Sequence, residues 1–133
     1  MEKPEHHTVV LFGEAERGEY HIPYYCKNLN ELVEFLGNPP PQTWGLYYAV
    51  QALLFQRNLI FFRVREEGYS TQDYLWGLHL LEAKQVTTSL SAICLPGVGD
   101  RCIIKTIIPI CQLYHCILIT NQADLYDYLM DVA

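Results

Sequence analysis

Leu59-Ile60-Phe61-Phe62-Arg63-Val64 is the stretch whose reading decides the fold. Its continuous apolar start suits a strand covered on both faces, as in a parallel sheet, and Gly68 breaks the pattern a few residues later. Just before it, Trp44–Gln56 carries Leu46, Ala49, Val50, Leu53 and Leu54 at helical spacing. A helix running straight into a doubly covered strand is the repeating unit of an α/β domain.

The same alternation extends outward in both directions. Thr8–Phe12 is a β-branched and aromatic run ending at Gly13, and it reads as the first strand. Gly13–Glu19 is polar and closed by glycines, hence a loop, and Ile22–Cys26 is extended because Pro23 biases its predecessor away from helix. Asn28 or Asn30 caps a short helix over Leu29–Leu36, which Gly37 and the run Pro39-Pro40-Pro41 terminate. Downstream, Ser70-Thr71-Gln72-Asp73 forms a capping box for a helix reaching Ala83. Leu90–Leu95 is the third strand, Pro96–Gly99 a turn, and Asp100 the cap of a helix over Arg101–Tyr114. Pro109 predicts that this helix is kinked or confined to two short pieces. Cys116–Thr120 is the fourth strand, and Asn121 caps a last helix over Ala123–Met130.

The expectation is one α/β domain over residues 1–133, with residues 1–7 mobile. It has a mostly parallel four-stranded sheet with helices on both faces, in a Rossmann-like or flavodoxin-like three-layer arrangement.

Composition narrows the function. The chain has 133 residues, half of them hydrophobic, so it can bury a sizeable core. Fifteen acidic residues against nine basic give a net charge of −6, and no basic cluster exceeds the pair Arg63 and Arg65. A polyanion binder needs a basic face, so nucleic acid is not an expected partner. The apolar runs are too short to span a membrane, and the polar N-terminus lacks the apolar core of a signal peptide, so a cytoplasmic location is expected. The five cysteines are odd in number and form no CxxC, and most lie in hydrophobic sequence, which predicts burial as free thiols. Cys111, His115 and Cys116 lack the second ligand pair that a metal site requires, and neither metal nor cofactor is expected.

Ligand-site candidates are Gly13, Gly97, Gly99, Asp100 and Arg101, in the loops after the first and third strands. Such loops meet ligands in open α/β sheets. Neither loop matches GxGxxG or GxxxxGK[ST], and a tight turn with an Asp cap explains the second equally well. Glu14, Glu16 and Asp100 would form an acidic cluster if the loops converge. No serine stands in GxSxG and none of the five histidines falls in a triad pattern, so no catalytic residue is assigned. Tyr47, Tyr48, Tyr126 and Tyr128 are interface candidates, because paired tyrosines on one helix cannot both face one core.

Taken in order, these segments resemble the α/β portion of contractile tail sheath proteins of phage tails and related injection machines. The matching stretches are Leu11–Gly18, Ile22-Pro23, Leu29–Gly37, Gly45–Phe55, Phe61–Arg65 and Ile93–Gly97, followed by Arg101–Tyr114 and Ile117–Thr120, so the likeness spans residues 8–120. Gln56-Arg57-Asn58 stands where that family has Gly-Gly. Sheath subunits are larger and carry terminal arms that add strands to neighbours, whereas only a few residues here precede the first strand. The resemblance implies a non-enzymatic structural or interaction domain that contacts itself or another protein. The alternative, from the loops, is a small-molecule or nucleotide-binding domain.

Overall fold

The computed structural model describes residues 8–130. Residues 1–7, including the expected mobile segment, lie outside the described residues. The elements are β1 (Thr8–Gly13), β2 (Pro23–Cys26), α1 (Leu29–Leu36), α2 (Gly45–Leu54), β3 (Asn58–Arg63), α3 (Thr71–Glu82), β4 (Ala92–Cys94), α4 (Arg101–Tyr114), β5 (Ile117–Ile119) and α5 (Gln122–Met130).

The sheet has five strands, not four, in the order β2-β3-β1-β4-β5. β3, β1, β4 and β5 are mutually parallel, with Val10 opposite both Ile60 and Ile93, and Ile93 opposite Leu118. The additional strand is the extended Pro23 segment, which runs antiparallel to β3 with Tyr24 opposite Phe61. Pro23 has no N–H to donate, and it stands as the first residue of an edge strand, where that loss is tolerated.

Alternate residues of the central strands feed two cores. Val9, Leu11, Leu59, Phe61 and Cys94 pack with Leu32 and Leu36 of α1, Leu46 and Ala49 of α2, and Leu125 and Leu129 of α5. Val10, Phe12, Ile60, Phe62 and Ile93 pack with Tyr74, Leu78 and Leu81 of α3 and Ile103, Ile107 and Ile110 of α4. Helices therefore cover both faces. Every residue of β1 is buried, which accounts for the unbroken apolar run in its sequence.

Two local expectations change. Helix α4 is one continuous helix rather than two short pieces, and Pro109 lies with Lys105 on its exposed side. There the carbonyl that proline leaves unbonded can meet water, so the break is avoided. The capping box at Ser70 does not form: its hydroxyl bonds the Glu66 backbone instead, 3.0 Å from both N and O. Asp73 is drawn away by partners described below. Three other caps form as the sequence implies. Asn28, rather than Asn30, accepts from Glu31 N at 2.9 Å, Asp100 from Cys102 N at 2.7 Å, and Asn121 from Asp124 N at 2.8 Å.

Candidate functional site

The loops after β1, β3 and β4 meet at the carboxyl edge of the sheet, where the chain leaves β1 for one side and later returns to the other. The centre of this edge is closed. Gly13 lies so near Gly45, the first residue of α2, that a Cβ on either would stand 2.7 Å from the other's Cα. Only hydrogen fits at both positions, and the start of α2 sits directly on the end of β1 as a result.

Helix α2 begins at Trp44 with no side-chain cap of its own. Its first amides are met by Glu67, from the loop after β3: the carboxylate accepts from Trp44 N at 2.8 Å, Gly45 N at 2.9 Å and Glu14 N at 2.9 Å. Glu67 N in turn donates to Glu14 Oε2 at 3.0 Å. A helix N-terminus favours a negative charge, and here an internal carboxylate supplies it. Asp100 does the same for α4, accepting from Cys102 N and from Ile103 N at 3.1 Å.

The predicted site residues separate accordingly. Gly13 is walled in. Gly97 and Gly99 border open space, with nothing within 4 Å of an added Cβ. Asp100 is committed to its cap, and Arg101 is exposed on the first turn of α4. Glu14, Glu16 and Asp100 do not converge, because Glu16 accepts from Asn38 N at 2.8 Å instead. No group of three or more His, Cys, Asp or Glu side chains suited to a metal ion occurs among the described residues.

The interface tyrosines divide too. Tyr47 is 58% exposed and Tyr126 41% exposed. Tyr48 is buried against the sheet, its hydroxyl held neutral to higher pH chiefly by that burial. Tyr128 packs on the core, where its ring lies under Arg57 and its hydroxyl bonds Ser91. Of each pair, Tyr47 with Tyr48 and Tyr126 with Tyr128, one tyrosine faces inward, as the argument from pairing requires.

A charged and aromatic cluster beside β3 was not read from the sequence. Asp73 is buried and accepts from Arg65 N at 2.8 Å and from the Arg65 guanidinium, while His21 Nε2 lies 2.9 Å from Oδ1. His21 adopts φ 67°, a left-handed conformation unusual outside glycine, and stacks on Trp76 with centroids 4.8 Å apart. Tyr20 lies between Arg63 and Arg65, whose guanidinium carbons stand 4.6 and 4.2 Å from its ring centre. Arg63 also bonds the carbonyls of Gly18 and Ala15, fixing the loop after β1. Signals were present in the arginine pair and in the His21 and Asp73 side chains, but their juxtaposition depends on β2 joining the sheet.

The edge is rimmed by exposed aromatic rings. Trp44 and Tyr47 on α2 pack together with centroids 5.9 Å apart, and Tyr69 follows Glu67 and is 77% exposed. Trp76, on the opposite side of the sheet, is half exposed. No helix among the described residues is long and apolar enough to cross a membrane. No protein family, curated protein or solved structure matches this chain.

Proposed function

We propose that this chain is a non-enzymatic interaction domain that works through protein–protein contacts at the carboxyl edge of its sheet. The observation that carries the reading is the Glu67 carboxylate seated on the α2 amides, with the exposed rings of Trp44, Tyr47 and Tyr69 around it. An anionic ligand entering there would have to displace a carboxylate that already satisfies three backbone donors. Exposed tryptophan and tyrosine, by contrast, are the side chains that dominate protein interfaces. The likeness to the α/β portion of tail sheath proteins points the same way; the parallel order β3-β1-β4-β5, read as a flavodoxin-like winding, hosts many functions and favours neither reading. Self-association is the first form of contact to test.

The alternative, a small-molecule or nucleotide-binding domain, keeps one observation in its favour: the open space beside Gly97 and Gly99. Sedimentation velocity over a range of concentrations separates the two. The interaction reading expects concentration-dependent assembly that the double variant Trp44→Ala, Tyr47→Ala shifts back towards monomer. A chain that stays monomeric throughout overturns self-association. A monomer whose melting temperature rises with added nucleotide overturns the interaction reading and directs attention to the Pro96–Arg101 turn.

A further inference from the structure

The end of α4 brings two thiols together. Tyr114 is the last helical residue, and His115 follows in the left-handed conformation at φ 56° and ψ 43°. Its N–H donates to Gln112 O at 3.3 Å, while Cys116 N donates to Cys111 O at 3.0 Å. This pair of bonds defines a Schellman termination, in which the side chains of the residues joined by the outer bond come into contact. In most proteins that contact is between two apolar side chains. Here both partners are cysteines, free and half-buried, packed on the rim of the same apolar cluster.

We propose that Cys111 and Cys116 form a peroxide-reactive dithiol that closes to a disulfide across the end of α4. The Cys111 thiolate attacks one oxygen of a hydroperoxide; the O–O bond breaks, Cys111 becomes a sulfenic acid, and water or an alcohol leaves after taking up the proton. Cys116 then attacks the Cys111 sulfur. The S–S bond forms as the S–O bond breaks, a second water carries away the Cys116 proton, and the peroxide has accepted both electrons.

The two thiols are not equivalent. Contact with Cys116 holds the Cys111 thiol below its ordinary value, and the same contact together with burial pushes Cys116 up. Cys111 is therefore the attacking sulfur and Cys116 the resolving one. The remaining cysteines lack this arrangement. Cys26 and Cys94 are buried, with thiols pushed up by that burial, and Cys102 is exposed at the other end of α4.

The test exposes the intact chain to a small excess of hydrogen peroxide, blocks free thiols with N-ethylmaleimide, and maps the peptides by mass spectrometry. The expected product is a chain lighter by two hydrogens, with residues 111 and 116 cross-linked and both thiols restored by dithiothreitol. In Cys116→Ser, oxidation stops at Cys111, which dimedone then labels. In Cys111→Ser, no cross-link to residue 116 forms and the rate of peroxide consumption falls roughly tenfold or more, because the dithiol pair is broken. The proposal is overturned if Cys102 is oxidised while Cys111 and Cys116 both remain alkylated, or if Cys111 in a folded Cys116→Ser chain takes up no dimedone. Should either variant fail to fold, the peptide map of the unmodified chain decides alone.

Discussion

Asp73 shows how a side chain's sequence neighbourhood can misdirect. Three residues after Ser70 at the start of an apolar stripe, it has the spacing of a capping box. Instead it is buried, with His21 and Arg65 as partners, and charge-assisted bonds of this kind outweigh one local cap. Asp73→Asn keeps the shape but turns a donor towards donors, so it should cost about 2 kcal/mol in urea unfolding. Replacing His21 alone should cost less, since Arg65 still satisfies the carboxylate. Glu67 was equally hidden: nothing in Glu66-Glu67-Gly68 marks which helix it caps. The one local clue was negative, a helix opening at Trp44-Gly45 without a capping residue at Trp44.

At the scale of elements, the sequence was readable wherever periodicity and caps are local, and unreadable where pairing is distant. All five helices and four strands lie where alternation put them, within a residue or two at most ends. Strand β4 is shorter than its apolar run: Leu90 and Leu95 are buried beyond its ends, and Leu95 N still donates to Ile119 O at 2.8 Å. Strand β2 was legible as extended chain, but its place in the sheet depends on pairing with Leu59–Phe62, far along the chain. The junction of α3 with the sheet is tight. Phe12 stacks on Phe62 and on Tyr74, with centroids 4.9 and 5.4 Å apart, and Gly77 leaves room for them. A Cβ at Gly77 would stand 2.5 Å from Phe12 Cε2 and 2.8 Å from Cζ. Alanine gains about 1 kcal/mol of helix propensity, but overpacking a fixed aromatic stack costs more. Gly77→Ala should therefore lose a net ~1–2 kcal/mol, read as a lower urea midpoint with an unchanged slope.

For the whole molecule, burial of weak acids sets an alkaline limit. Burial, aided by Glu31, pushes the Cys26 thiol up from 9.0 to about 12. Cys94 and Tyr74 move in the same direction, chiefly for the same reason. Above its ordinary value each group ionises in the unfolded chain before it does so in the folded one, so the unfolded state binds fewer protons. Stability is then fully present below pH 9 and is lost as pH rises towards 12, by up to about 1.4 kcal/mol per pH unit for each such group. Urea unfolding at pH 8, 9 and 10 should show a steepening loss, and Cys26→Ala should flatten it while lowering stability at pH 8. A flat profile in the unmodified chain would mean that these groups are hydrated in the folded state.

The sheet's outermost strands bear on how copies of this chain could assemble. β2 offers four residues of outer backbone and opens with a proline; β5 offers three. Ladders that short give a newcomer too few main-chain bonds to offset the freedom it surrenders, so fibril-like zippering along the sheet is discouraged at both margins. Any assembly must therefore be written in side chains, with its geometry set by where a few aromatic rings can find a complementary surface.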